Sequence, residues 1–287
     1  MYTLTEKIMK KKVISASRRV EMPGFYPEQL LHMLETRLPP ERVHTLVLWT
    51  KHPITLLNNK ILQKKLADYD QCFLHLTISG MGDTYLEPGI SGMDEILSYL
   101  PSLVEWIGSP KRICVRFDPI VTLILPDHSR YSNIGHFIRV AQASSENEIP
   151  TITVSWLSHY PKVTERLKKK GIKAIQPTKT EWKAASEWIL NQANKAHITV
   201  NGCCVKGWPV SRCINGPLFS KLHPDKLTAP NEKAEGQREH CGCTKSWDIG
   251  WYYPCPGGCL YCYANPKLFS GLPGKTPVFQ KVDLILG

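Results

Sequence analysis

A chain of 287 residues with 42% hydrophobic and 21% charged residues has the make-up of an ordinary globular protein. It is long enough for one α/β barrel or two small domains. No apolar run nears the roughly 18 residues a membrane span needs, and the basic start lacks the apolar segment of a signal peptide, so a cytoplasmic protein without membrane association is expected. The net charge of +11 suits an anionic substrate or nucleic acid, but lysine-rich helices such as the one containing Arg166-Leu-Lys-Lys-Lys170 account for it more simply.

In chain order, residues 1–12 read as a tail or capping segment. A short apolar strand over residues 13–17 ends in Arg18-Arg19. A turn at Pro23-Gly24 leads to a helix over 27–36, with Pro27 in its first turn as a start signal. The continuous apolar run 45–49 predicts a strand ending at Thr50-Lys51, followed by a helix near 54–69. The pattern then repeats: strand 72–78 into Ser79-Gly-Met-Gly82, helix 93–107, strand 113–117 into Asp118-Pro119, helix 133–144. Strand 151–156 precedes helix 163–170, strand 172–175 precedes helix 181–194, and strand 198–201 runs into Cys203-Cys204. Short apolar strands alternating with amphipathic helices predict a parallel sheet. Seven of them, plus one more before the end of the chain, predict a TIM-like (β/α) barrel, full or partial. In such a barrel the polar strand ends form the site: Ser17, Arg18, Arg19, Lys51, Ser79, Arg116, Asp118 and Ser155. A salt-bridged rim, such as Arg116 with Asp118 or Glu21, is the competing reading of any one of them.

Composition changes after residue 202. Residues 203–245 are rich in Cys, Gly and Pro and have little periodicity, so an elaborated segment over the barrel mouth is expected, with a short helix near 217–222. A strand over 246–252 delivers the chain to Cys255-Pro-Gly-Gly-Cys259-Leu-Tyr-Cys262, and residues 279–286 predict a terminal strand or helix. Three organisational units follow: a tail over 1–12, a barrel core over 13–202 and a Cys-rich segment over 203–287 that completes the barrel.

The chain has ten cysteines. A cytosolic protein of this size needs no disulfide staples, so clustered C-x-C and C-x-x-C spacings point to metal. Cys255, Cys259 and Cys262 lie within eight residues, with two glycines between the first pair, which places them on a tight loop. Three soft ligands from one loop suit an iron–sulfur cluster and leave one iron open for chemistry.

That C-x-x-x-C-x-x-C spacing resembles the radical-SAM enzymes. The chain as a whole resembles an uncharacterised bacterial and archaeal family that carries such a loop at its C-terminus. The matching segments are Val13-Ile-Ser-Ala-Ser-Arg-Arg19, Leu48-Trp-Thr-Lys51, Arg116-Phe-Asp-Pro119, Cys213-Ile214 and the block from Gln237 to Asn265. The chain departs from the family at Val20-Glu21, where Thr-Asp is expected. The resemblance implies a circularly permuted barrel, in which the strand over 246–252 comes first in space and the strand over 13–17 lies beside it. It implies a 4Fe-4S cluster on Cys255, Cys259 and Cys262, S-adenosylmethionine as cofactor, and an electron donor such as ferredoxin or flavodoxin. It implies one-electron cleavage of the sulfonium to start radical chemistry on an unknown small, polar or anionic substrate. The usual Gly-Gly-Glu for the methionine amino group is missing. Its positional counterpart is Ser15-Ala-Ser17-Arg-Arg19, so Ser15, Ser17, Arg18 and Arg19 become the expected cofactor contacts. Tyr261 is expected to shield the cluster or stack on adenine, or else simply to pack. Lys51, Arg116 and Asp118 are expected to line the substrate pocket as catalytic candidates. The loop is also similar to that of spore photoproduct lyase, which would make nucleic acid a partner, but no aromatic–basic stripe marks a groove for it.

Cys213, Cys241 and Cys243 match further cysteines of the same family. They suit a second iron–sulfur cluster, or a zinc ion with His240 or a distant ligand, or free thiols in the covering segment. Cys203-Cys204 is a candidate source of a fourth ligand. Cys72 and Cys114, inside apolar strands, read as core residues, and His44, His75 and His159 as packing or rim residues. The alternative to an enzyme is a non-catalytic metalloprotein: a zinc-stabilised barrel or an electron-transfer module.

Overall fold

The computed structural model describes residues 11–280. Most of the predicted tail over 1–12 and of the terminal element over 279–286 lies outside them. Ten strands are present among the described residues: β1 Lys12–Ala16, β2 Val43–Thr50, β3 Cys72–Thr77, β4 Ile113–Ile120, β5 Thr122–Ile124, β6 Arg130–Ser132, β7 Thr151–Trp156, β8 Lys173–Ala174, β9 Thr199–Gly202 and β10 Trp247–Asp248. Seven of them form one sheet in the order β10-β1-β2-β3-β4-β7-β9, and every pairing in it is parallel. The protein is therefore an α/β fold on an all-parallel sheet. Its ladder ends at β10 on one side and β9 on the other, with no pairing between those edges among the described residues.

Chain order and spatial order differ in the way the permuted reading expects. β10, near the end of the sequence, lies beside β1, with Ile14 opposite Trp247 and Ser15 opposite Asp248. One predicted barrel strand is corrected. The run 172–175 yields only β8, which pairs antiparallel with β5 in a separate three-stranded sheet β6-β5-β8. Its place beside β7 is taken by β9. The run is short and preceded by the left-handed Gly171, so two residues of ladder are all it sustains. The antiparallel strands β5 and β6 were not anticipated, because each is three residues long and too short to show a period.

Helices are α1 Met22–Phe25, α2 Pro27–Thr36, α3 Pro53–Asn58, α4 Lys60–Leu66, α5 Met93–Ser98, α6 Leu100–Ile107, α7 Phe137–Glu146, α8 Pro161–Lys168, α9 Lys179–Lys195 and α10 Gly216–Leu222. The two long predicted helices each break in two. Asn59 leaves helical geometry and caps α4 through Leu62 N, and Pro101 stands in the first turn of α6, where a missing N–H costs nothing. α9 begins with a capping box between Thr178 and Glu181, which satisfies two otherwise orphaned N–H groups.

Strand alternation divides the sheet into two faces. Ile14, Leu46, Leu48, Leu74, Leu76, Val115, Phe117, Ile152 and Val154 pack in the main core with buried helical residues. Val13, Val47, Phe73 and Cys114 face the other way, against Cys213, Ile214, Phe219, Ala229 and Cys243. The Cys-rich segment therefore does more than cover strand ends: it fills the second face of the sheet. Two crowded side chains illustrate the consequence, with Phe73 and Phe219 rings 5.1 Å apart and Gln71 bonded to the Phe219 carbonyl at 3.1 Å. No helix among the described residues is long and apolar enough to cross a membrane.

Candidate functional site

The loop over 255–262 sits where the strands end, tied to three neighbours. Gly89 N donates to Gly257 O at 3.1 Å and Leu260 N to Leu86 O at 3.0 Å. Tyr26 Oη donates to Pro254 O at 2.7 Å. Arg166, from α8, donates to the carbonyls of Leu260 and Cys262 at 3.1 and 2.7 Å. Two glycines let the chain pass. Gly258 has φ +62°, and a Cβ there would meet the Phe269 ring at 2.6 Å, while a Cβ on Gly89 would meet Pro256 O at 2.2 Å.

The three thiols are largely enclosed, and Cys259 is 8% exposed. Burial pushes Cys255 up to about 11 and holds Cys259 and Cys262 above the ordinary thiol range. Without a metal they are neutral at pH 7. Their surroundings nevertheless suit sulfur that has lost its protons. Ala264 N donates to Cys262 Sγ at 3.3 Å, and the N–H groups of Gly257 and Glu21 bond Cys255. Lys51 acts on Cys259 and Cys262, and Arg166 and Lys162 act on Cys262. Peptide N–H groups on sulfur and nearby cations stabilise an anionic thiolate centre. The donor set therefore fits an iron–sulfur cluster. No three His, Cys, Asp or Glu side chains among the described residues converge on the point a single metal ion would occupy.

Lys51 leaves the end of β2 and is the hub of the polar contacts here. Its Nζ donates to Glu87 Oε1 and to Tyr261 Oη, both at 2.6 Å. Burial is the largest single influence and would lower its pKa; Glu87, Cys259 and Asp118 together outweigh it and raise it. Glu87 is 1% exposed and also accepts from Ser79 at 2.6 Å. The backbone N–H of Lys51 donates to Glu21 Oε2 at 2.6 Å, and Gly24 N to Glu21 Oε1 at 3.2 Å. Desolvation pushes Glu21 up to about 7. The departure at Val20-Glu21 is thus a helix cap for α1 that also holds Lys51. Glu87 was missed because it lies in an irregular stretch after β3 with no period to mark it.

Ser15, Ser17 and Arg18 meet on one residue that sequence reading did not single out. Asp248, in β10, accepts from Ser15 Oγ at 2.9 Å, Ser17 Oγ at 2.8 Å and Arg18 N at 2.9 Å, with Arg18 Nε at 3.4 Å. Its side chain is 6% exposed. Arg19 joins this clasp more loosely, its Nε 4.0 Å from Asp248 Oδ1, and donates to Gly250 O at 3.0 Å. Tyr263 Oη closes the circuit on Arg18 O at 2.5 Å. The polar end of a two-residue strand was the signal for Asp248; only the β10–β1 register gives it meaning.

Arg116 and Asp118 are brought together at the end of β4, joined by a salt bridge, and Ser155 donates to the same carboxylate. The rim pairing expected between them is therefore present, whereas Glu21 pairs elsewhere. The other arm of Arg116 donates to Cys213 Sγ at 2.8 Å. Its guanidinium lies over Trp49 at 5.3 Å. Trp49 stacks on His75 at 4.2 Å, and His75 Nε2 bonds Cys213 O at 2.7 Å. Burial pushes His75 down to about 4, so it is a neutral packing residue, and His44, bonded to Thr45 and Leu227, is another. Cys72 and Cys114 are core thiols, Cys114 touching Thr153 at 3.4 Å. His240 is exposed.

Fold and site together define an α/β protein with a parallel sheet and a cysteine loop at its strand ends. The sequence profile of a domain of unknown function, DUF1848, matches residues 32–264; the chain belongs to that family. Among curated proteins nothing matches it.

Proposed function

We propose that this protein is a radical-SAM-type enzyme built on a permuted, incomplete (β/α) barrel. The observation that carries the reading is the position of its cysteine loop. The loop follows β10, β10 lies parallel beside β1, and the thiols emerge at the strand ends among peptide N–H donors and lysine and arginine side chains. Cys255, Cys259 and Cys262 would hold a 4Fe-4S cluster. With that cluster and S-adenosylmethionine bound, the chemistry supplied is one-electron reductive cleavage of the sulfonium.

The chain's own residues then have definite tasks. Arg166 and Gly89 fix the loop backbone. Lys51 supplies a permanent positive charge, which offsets the negative charge of three thiolates. Glu87 and Tyr261 orient that lysine, so Tyr261 serves the site through its hydroxyl. Asp248 holds Ser15, Ser17 and Arg18 beside the loop, where they would meet the cofactor's amino and carboxylate groups, and Arg19 extends that edge. Asp118, Arg116 and Ser155 form the polar wall that a small polar or anionic substrate would face. The electron donor would be a small acidic redox protein such as ferredoxin or flavodoxin, matched to the basic surface of this chain.

A non-catalytic metalloprotein is the second reading, favoured by one observation: Ser15, Ser17 and Arg18 are already bonded to Asp248, as a structural clasp would be. Purification without oxygen, iron and sulfide analysis, and measurement of 5′-deoxyadenosine after adding reductant and S-adenosylmethionine separate the two. The enzyme reading expects 5′-deoxyadenosine from the wild type and a loss of more than about 100-fold in Cys259→Ala. Iron retained by the loop with no 5′-deoxyadenosine would select the metalloprotein.

A further inference from the structure

Five of the seven cysteines outside the loop come from three separate stretches: 203–204 just after β9, 213, and 241–243. Their thiols form a file. Cys203 reaches Cys213, Cys213 reaches Cys243, and Cys243 reaches Cys241. Cys204 bonds Cys203 and reaches Cys241 and Cys213 through charge alone. Cys213 and Cys243 are 5% and 4% exposed. Cys72 and Cys114 are absent from this file and need no partner beyond the strands that hold them. Free thiols that merely pack have no reason to gather donors, yet these do. Arg116 Nη1 lies 2.8 Å from Cys213 Sγ, Ile214 N 3.5 Å from Cys243 Sγ, and Arg238 Nη2 3.5 Å from Cys203 Sγ. The Cys243 N–H bonds Cys241. Every member of the file from Cys203 to Cys241 thus receives an N–H.

Arg116 sharpens the point. A buried guanidinium needs acceptors on its donor arms. Asp118 takes one arm and the sulfur of Cys213 another, a contact that grows stronger when that sulfur gives up its proton to a metal. Several deprotonated sulfurs side by side repel one another unless a cation lies between them. We propose that Cys203, Cys213, Cys241 and Cys243 are the four thiolate ligands of a second soft-metal centre, an iron–sulfur cluster or zinc, seated on the face of the sheet opposite the main core.

Four thiolates complete the coordination of either centre. This centre is therefore closed and structural or electron-transferring, unlike the three-thiol loop. The thiols lie in file and do not enclose one point, in keeping with the absence of a preformed single-ion group among the described residues, so the sulfurs turn about the metal as it binds. Cys241 is half-buried and lines a polar cleft of about 500 Å³ with Arg212, Lys233 and His240, which gives the metal a path in. Neither Cys203 nor Cys213 shares a spacing motif with the C-x-C pair; Cys204, beside Cys203, has a left-handed φ of 57°.

The inference is independent of the proposed reaction, and its test uses the full chain. Cys255→Ser, Cys259→Ser and Cys262→Ser together remove the loop ligands. Purified without oxygen, that variant is expected to retain a single centre: iron with sulfide and visible absorption, or zinc without colour. Retention of neither overturns the proposal. Adding Cys203→Ser should lower the retained metal at least about tenfold, while adding Cys204→Ser should leave it unchanged; the reverse result overturns the assignment of Cys203. A measurement on the unmutated protein guards against misfolding. Iodoacetamide should label Cys241 slowly until a chelator is added, and equal labelling with and without chelator refutes the site. Failure here leaves 5′-deoxyadenosine formation at the loop untouched, so the two proposals fail separately.

Discussion

The two cysteine regions differ in what surrounds each sulfur. In the loop, Cys255, Cys259 and Cys262 belong to one short segment, their pKa values are raised by burial, and the cation beside them, Lys51, is committed to Glu87. In the file, sulfurs from distant segments touch each other, and Arg116 donates directly to one of them. Local chain geometry builds the first region, and tertiary packing builds the second. A spacing motif is therefore enough to see the loop, while the file exists only once β4, the end of β9 and the segment over 211–243 have come together. The Asp118 charge, beside the file, reaches Lys51, beside the loop.

That contrast can be broken at either end. The largest expected effect is on the file. Arg116→Leu leaves Asp118 and Cys213 without their cation, and should cost roughly 4 kcal/mol of stability. Chemical denaturation measures it, and metal bound at the loop should survive; equal loss at both regions would merge them into one unit. Next, Asp248→Ala strands two serine hydroxyls and one backbone N–H, at about 3 kcal/mol. Here the damage should fall on the loop, seen as lower iron content per chain, with the file's thiols still protected from alkylation. Gly258→Ala is smaller. It forces a left-handed φ on a Cβ and drives it into Phe269, for about 2 kcal/mol, and thermal unfolding of the loop variant against Gly271→Ala, where nothing lies within 4 Å, isolates the steric part.

The smallest effect concerns His44, packed against His223 and bonded to Thr45 and Leu227. Burial lowers the pKa of His44 from 6.5, so the unfolded chain takes up a proton that the native one refuses. Above pH 6.5 both states are neutral and stability is complete; as pH falls through 6.5 it is lost. His44→Gln should flatten that decline between pH 7.5 and pH 5.5 without altering metal content at either region, as a pH series of thermal midpoints would show.

Much of the fold was legible because burial imposes a period. Runs of apolar residues marked β1, β2, β3, β4, β7 and β9, and Pro27 marked a helix start. Failures came where a few residues decide. The stretch 172–175 has the composition of a core strand, but two residues of ladder with β5 is what the surrounding chain permits. Asn59 and Pro101 each divided a periodic run, since one side-chain cap or one missing N–H outweighs the pattern around it. Glu87 and Asp248 were invisible: an isolated acid has no period, and its importance comes from the partners it meets.

By itself the sequence determined the strand-and-helix alternation and the tight cysteine loop, because spacing and hydrophobic period act over short stretches of chain; the place of its end strand beside its first was expected only from the resemblance. Tertiary structure alone decided that Asp248 clasps Ser15, Ser17 and Arg18, that Lys51 is locked to Glu87, and that Cys203 joins Cys213 and Cys243 under Arg116. Those are meetings of residues tens to hundreds of positions apart, and only the closing of the sheet and the filling of its second face bring such charges and sulfurs within bonding reach.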